Sequence, residues 1–172
     1  YGMAEIRGTV KGYAPVFGEK PAALVLGTYP SPKSFEVGFY YGHKQNRFWP
    51  LMAALAGAPA IPQTITEKTA LIQQSGLALW DVLERCTITG ASDASIKDPV
   101  PNDVAGFIRR HGVQAVFCNG AASHRFYRRF SQPHTGIEAV QLPSTSPANA
   151  AFSFQRLLKA WQPLVQYITP LG

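Results

Sequence analysis

The chain has 172 residues, 46% of them hydrophobic, and its 16 Lys and Arg against 10 Asp and Glu give a net charge of +6. That length supports one domain with its own hydrophobic core. The two cysteines, Cys86 and Cys118, fit no paired-ligand spacing, which argues against a disulfide framework, a metal site and an iron–sulfur cluster. No apolar run approaches membrane-spanning length and no signal peptide is visible, so no membrane partner and an intracellular, cytoplasmic location are expected. Tyr1-Gly2 precede Met3 and read as an expression remnant, with a single domain spanning 1–172.

In chain order, the apolar run Ala22–Leu26 is the first buried strand, and it stops at Gly27-Thr-Tyr-Pro-Ser31. Tyr40-Tyr-Gly-His-Lys-Gln-Asn-Arg-Phe-Trp49 follows as a dense polar–aromatic cluster. Phe48, Leu51, Met52 and Leu55 fall at helical spacing, and Pro50 belongs in the first turn. The helix therefore starts near Phe48 or Trp49, with Asn46 at its entrance, and Gly57-Ala-Pro59 ends it. Thr64-Ile-Thr-Glu67 matches a capping box and opens a helix that runs to Gly76. Leu77–Trp80, continuing through Asp81-Val-Leu83, is the second strand, and Ser92–Pro101 is a loop. Asn102 or Asp103 caps a helix carrying Val104, Phe107 and Ile108, which Gly112 closes. Val113–Cys118 is the third strand. Asn119-Gly120 turns into a basic helix, Ser123–Phe130. Ile137–Leu142 is the fourth strand, Pro143-Ser-Thr-Ser-Pro147 a rigid turn, and Phe154, Leu157, Leu158 and Trp161 define a last helix interrupted at Pro163.

Strands alternating with helices predict an α/β fold, a three-layer α/β/α arrangement around a central, mostly parallel four-stranded sheet. The strand-end loops of such a sheet share one edge. That edge collects Thr28–Ser31, Asp81, Asn119 and Ser144–Ser146, and it is the expected ligand site. The positive residues cluster at Lys44 and Arg47, at Arg109-Arg110, and at Arg125, Arg128 and Arg129. This distribution suits a polyanion such as a nucleic-acid backbone, although a solvated basic face has the same composition. The Gly-x-Gly-x-x-Gly and P-loop patterns are absent, which argues against a doubly wound small-nucleotide enzyme.

Taken as a set, Gly27–Ser31, Tyr40-Tyr41, His43, Asn46 and Phe48-Trp49 resemble the hypoxanthine (deoxyinosine) DNA glycosylases, one family of the uracil-DNA glycosylase superfamily. The resemblance continues through Gly76–Arg85, Cys118-Asn-Gly120 and Leu142–Pro147, and covers the chain from about Pro21 to Trp161. It implies a monomeric, cofactor-free enzyme whose partner is DNA containing deaminated bases. Such an enzyme rotates the damaged base into a pocket and hydrolyses its N-glycosidic bond. The first motif carries no carboxylate to activate water.

The resemblance gives the catalytic place to Asn46, which would position a water rather than act as a strong base; a helix cap is the competing role. Asn119 and His43 are the other catalytic candidates, against turn formation and packing respectively. Gly27, Thr28, Tyr29, Pro30, Ser31, Tyr40, Tyr41 and Phe48 are expected to bind the base, a tyrosine by stacking. Asp81 falls where related glycosylases read the base's hydrogen-bonding edge; a turn or helix cap is its alternative. Lys44, Arg47, Arg125, Arg128, Arg129, Ser144, Thr145 and Ser146 are expected DNA contacts, the last three in a loop resembling the superfamily's minor-groove insertion loop. The His that some relatives carry in that loop is absent, and Lys44 stands where the family shows Pro. Tyr29 stands where mismatch-specific uracil glycosylases carry Asn, so hypoxanthine is expected ahead of uracil. The alternatives are a G·U mismatch uracil glycosylase and a catalytically silent DNA-binding module. No motif places a lysine to form a Schiff base, so hydrolysis without strand cleavage is expected.

Overall fold

The computed structural model describes residues 10–88 and 95–172; Tyr1-Gly2 and the first part of the expected 92–101 loop lie outside them. The organising strand is β2 (Ala23–Gly27), every residue of which is buried. Strands β3 (Leu77–Asp81) and β6 (Ala115–Asn119) flank it in parallel, with Ala23 opposite both Leu77 and Ala115. β7 (Val140–Leu142) extends the parallel sheet beyond β6. A short strand, β1 (Val16–Phe17), adds antiparallel to β3. The sheet thus has five strands in the order β1-β3-β2-β6-β7 rather than the four expected. Its parallel four-stranded centre is the anticipated one. β1 was missed because two residues carry no readable periodicity.

Period-two alternation in β2 divides the core. Ala23 and Val25 point to one face and Leu24 and Leu26 to the other. The first face is covered by α2 (Phe48–Ala56), α3 (Ile65–Gln74), α7 (Phe154–Ala160) and a 3-10 turn at Gln162–Tyr167. The second is covered by α4 (Val104–His111) and α5 (Ala121–Phe126). Thr64 and Glu67 form the expected reciprocal capping box on α3. At α4 it is Asp103, accepting the Gly106 N–H, that caps the helix.

Several boundaries move for identifiable reasons. The second strand ends at Asp81, opposite the last residue of β2, and the Val82 and Leu83 N–H groups still donate to Gly27 O and Thr28 O. The chain then leaves the sheet as β4 (Leu83–Thr87). β4 pairs with β5 (Lys97–Pro101), so the end of the expected 92–101 loop is a strand. A short helix, α1 (Pro32–Val37), follows the first turn, capped by Ser31. The basic helix begins at Ala121 and widens into a π-helix at Tyr127–Ser131 before α6 (Gln132–Thr135). Pro133 lacks the N–H that a continuous α-helix would direct at Arg129, which accounts for the change. Among the described residues, no helix is long and apolar enough to cross a membrane.

Candidate active site at the carboxyl edge of the sheet

Three parallel strands end together. Gly27, Asp81 and Asn119 are the last residues of β2, β3 and β6. They form the floor of a cavity of about 140 Å³, well under the roughly 300–1,000 Å³ of clefts for drug-sized ligands. It suits a single flat ring system. Thr28, Tyr29, Pro30 and Ser31 form one wall, Tyr40, Tyr41 and Asn46 a second, and Ser144, Thr145 and Ser146 a third. The sequence expectation placed all of these at the site. Ser34 also lines the cavity and was missed. It is buried, its Oγ accepts the Gly42 N–H at 3.0 Å, and its carbonyl accepts the Tyr13 hydroxyl at 2.7 Å. The Ser31-Pro-Lys-Ser34 spacing is a cap signature that marks it.

The two tyrosines differ. Tyr40 is buried, donates its hydroxyl to Ala14 O at 2.7 Å, and accepts the Trp49 indole N–H at its carbonyl. Burial raises its phenol well above the usual range. Tyr41 is half-buried and holds a left-handed backbone, φ 52°, a costly conformation for a bulky residue. Its ring lies on Phe48, centroids 4.1 Å apart and planes 25° apart. Phe48 itself is fully buried and does not line the cavity. Its expected contact with a ligand is therefore replaced by support of Tyr41 from behind.

Asn46 serves two purposes. Its Oδ1 accepts the Phe48 N–H at 2.9 Å, which satisfies one of the free donors at the start of α2. That bond also fixes which amide atom is the oxygen. The same side chain lines the cavity. His43 does not; its Nδ1 accepts the Gln45 N–H and its carbonyl accepts the Asn46 N–H, so it shapes the turn that presents Asn46.

Asn119 and Thr145 form a reciprocal pair. Asn119 Nδ2 donates to Thr145 Oγ1, and Asn119 Oδ1 accepts the Thr145 N–H, each at 3.0 Å. Thr145 is completely buried. It is a fastener, not the surface contact expected from sequence. Arg47 is likewise turned inward. Its Nη2 donates to Ser146 O at 2.9 Å and Asn149 O at 3.0 Å, its Nε to Thr145 O at 3.4 Å, and its Nη1 to Phe152 O. Its backbone N–H also donates to Thr145 O. The expected phosphate contact is thus corrected: the guanidinium binds the loop's own carbonyls. Trp161 donates its indole N–H to Pro143 O at 3.0 Å and holds the loop's start.

The remaining cations stay outside. Lys44, Arg125, Arg128 and Arg129 are exposed. Arg125, Arg128 and Arg129 border a groove with Gln141 and Ala121, and Ala121 and Gln141 also border a second groove along Pro143, Ser144 and Ser146. A basic face is therefore continuous with the cavity's third wall.

Asp81 is 4% exposed, and its Oδ2 has no hydrogen-bond partner among the described residues. Burial pushes its carboxyl up to about 7, from an ordinary 3.8. Gly27 beside it must be glycine, since a Cβ would lie 2.5 Å from Asp81 Oδ1 and 2.6 Å from the Tyr41 hydroxyl oxygen.

No protein-family model matches the chain. It is 29% identical over 146 residues to a hypoxanthine DNA glycosylase from Methanosarcina acetivorans, covering 85% of this chain and 92% of that protein. A second hypoxanthine DNA glycosylase, from Methanosarcina barkeri, is 31% identical over 88 residues, covering 51% of this chain and 56% of the relative. In structure, the chain resembles the solution NMR structure of a candidate uracil DNA glycosylase from Methanosarcina acetivorans. The TM-score is 0.78 at 28% identity, covering 91% of this chain and 96% of that one.

Two stability predictions follow from these contacts. Arg47→Lys cannot reproduce a planar fork on four carbonyls, so both it and Arg47→Ala should lower the melting temperature by about 5 °C, near 2 kcal/mol. Differential scanning calorimetry checks this, and an unchanged melting point for Arg47→Lys contradicts the clamp. For Asp81, the folded carboxyl holds its proton up to about pH 7 while the unfolded one releases it near 3.8. The folded state thus binds more protons in that window, and stability falls as pH rises through it. Asp81→Asn should therefore melt above the parent at pH 8, with the gain shrinking at pH 5; a gain of equal size at both would contradict the assignment.

Proposed function

We propose that the chain, similar over most of its length to a hypoxanthine DNA glycosylase and in structure to a candidate uracil DNA glycosylase, excises hypoxanthine from deoxyinosine in DNA by hydrolysing the N-glycosidic bond. The observation that carries this reading is the cavity where β2, β3 and β6 end, sized for one flat base and lined by Tyr41 and Asn46. A base inside a duplex is out of reach, so it must be rotated into that cavity.

Each wall then has a chemical task. Tyr41, backed by Phe48, offers a π-face to the flipped base. The bond to Phe48 N–H occupies one Oδ1 lone pair of Asn46 and fixes the side chain. Its second lone pair and its Nδ2 remain to orient a water toward C1′ of the deoxyribose. Because the amide is a weak base, its contribution is one of position. The C1′–N9 bond breaks through an oxocarbenium-like state and the base leaves with the bonding electrons; the water adds to C1′ as hydroxyl, and the proton it releases balances the one that the departing base anion takes up. No lysine lines the cavity, which supports hydrolysis without a Schiff base. Asn119 acts through Thr145, as a positioning residue for the third wall.

Ser144 and Ser146, on the exposed side of that wall, and the basic groove at Arg125, Arg128 and Arg129 form the DNA-facing surface. Uracil is the second substrate to consider, because Asp81 can accept a pyrimidine N3–H as readily as a purine N1–H. Tyr29 in the first turn favours hypoxanthine.

Incubation with duplexes carrying one deoxyinosine, followed by alkaline cleavage of abasic sites, should yield product above an enzyme-free control; no product on deoxyinosine or uracil duplexes would overturn the reading. Asn46→Ala should lower single-turnover excision by roughly 10²-fold or more while retaining most DNA affinity. A melting loss with undiminished excision would reduce Asn46 to a cap. Replacing Arg128 and Arg129 together should reduce the slope of log affinity against log salt by about 2, whereas Arg47→Ala should leave that slope unchanged. The reverse pattern would place Arg47, not the groove, on phosphate.

A further inference from the structure

The base cavity and the groove at Arg125, Arg128 and Arg129 leave one arginine cluster of the sequence, Arg109-Arg110, without a role. Arg109 borders a second cavity, of about 280 Å³, between the start of α4 and the end of the π-helix. Asn102, Asp103, Phe130, Ser131 and His134 line it with Arg109. None of them lines the base cavity. Ser131 is 2% exposed, and its Oγ is buried without a hydrogen-bond partner among the described residues. In a helix such a hydroxyl often turns back to the carbonyl four residues earlier. That carbonyl, on Tyr127, takes the Gln132 N–H across the π-helical turn. A buried hydroxyl left unmade is costly, and a bound ligand offsets the cost.

The groups around Ser131 select the ligand. Arg109 carries a permanent charge and a planar fork of donors, and no ion pair engages it among the described residues. The His134 ring can donate from α6. The carboxylate of Asp103 is committed to α4: its Oδ1 accepts the Gly106 N–H at 3.0 Å, and the positive end of the helix offsets its charge. The Asn102 amide is committed too, with Nδ2 donating to Asp81 O at 2.9 Å. What is left is donors around a fixed positive charge, which suits a phosphate group. The Arg129 guanidinium lies 4.6 Å from the ring centroid of Phe130, a wall of the cavity. The basic face thus continues past the π-helix to Arg109.

We propose that this cavity is a phosphate-binding site in which Arg109, Ser131 and His134 donate to the phosphate oxygens. The site stands apart from the base-excision reading, because no step of that chemistry uses these residues. A phosphate reaches it from either of two sources, the backbone of bound DNA or free phosphate in solution. Asn102 lies between the two cavities. Its side chain donates to Asp81 O and its N–H to Val82 O, so one residue separates a phosphate held here from the strand end that floors the base cavity.

The test compares the full chain with Arg109→Ala, Ser131→Ala and Arg110→Ala, the last an exposed neighbour that does not line the cavity. Each is melted with increasing inorganic phosphate against sodium chloride of equal ionic strength, and titrated with an undamaged duplex over a range of salt. A site for free phosphate raises the parent's melting temperature by about 3–5 °C at ten times the dissociation constant, and both cavity variants lose the rise. For a site that takes the DNA backbone, Arg109→Ala reduces the slope of log affinity against log salt by about 1, and Ser131→Ala weakens affinity severalfold. Either result supports the site and names its source, and Arg110→Ala should produce neither. The site is overturned if neither arm responds. It is also overturned if Arg110→Ala changes the slope as much as Arg109→Ala while Ser131→Ala changes nothing, which marks a diffuse basic face. Ser131→Ala removes an unpaired hydroxyl, so it should not lower the melting temperature in phosphate-free buffer. A lowered value would show that the hydroxyl already has a partner, and would overturn the site. Excision from deoxyinosine duplexes is measured separately; its absence overturns the base-excision reading and leaves the phosphate site standing.

Discussion

One guanidinium joins the two halves of the cavity. Arg47 is the residue just after Asn46 in the turn that opens α2, and its side chain spends itself on the carbonyls of Thr145, Ser146, Asn149 and Phe152. Those carbonyls belong to a loop about a hundred residues away in sequence. Fixing such a loop without a regular ladder leaves many backbone acceptors to satisfy. Arg47 satisfies four of them with one pre-organised planar group. Asn119 and Trp161 complete the attachment at Thr145 and Pro143. As a result, the turn that presents Asn46 and the loop that forms the third wall are tied directly to each other.

The opposite side of the cavity is organised by close approach. Gly27, Asp81 and Tyr41 converge so tightly that a single Cβ on Gly27 would collide with both side chains. Tyr41 reaches this position only through a left-handed backbone, and Asp81 reaches it only by losing most of its contact with water. Both features cost folding free energy. They occur together at the end of the central strands, where binding rather than stability is the requirement. Elsewhere the two faces of β2 are covered mainly by apolar packing among the described residues, although Ser131 Oγ is also buried without a hydrogen-bond partner there.

Most of the fold and the floor of the site were legible in the sequence for physical reasons. Buried parallel strands read as short apolar runs, and their ends bring Gly27, Asp81 and Asn119 to one edge. Helix caps at Thr64 and Asp103 were visible as spacing. What remained hidden depends on direction. Nothing local tells whether an arginine faces solvent or folds back, so Arg47 read as a phosphate contact although it serves as a clamp. Thr145 and Phe48 sat in the right motifs but with side chains aimed into the protein. β1 was hidden by its length, and Ser34 by its place in a short helix whose cap, Ser31, was read only as part of the turn.

The proposed chemistry needs Asn46 and the third wall held in fixed relation, and the structure ties both to contacts distant in sequence. On the proposed function, excision requires the turn before α2 and the Pro143–Phe152 loop to be locked together. A double-mutant cycle of Arg47→Ala and Asn119→Ala, read as single-turnover excision from deoxyinosine duplexes, tests this most directly. Because the two side chains secure the same loop, the double variant should lose little more activity than the worse single variant. Losses that simply multiply would show that the two residues act independently, and would contradict a shared role in securing the loop.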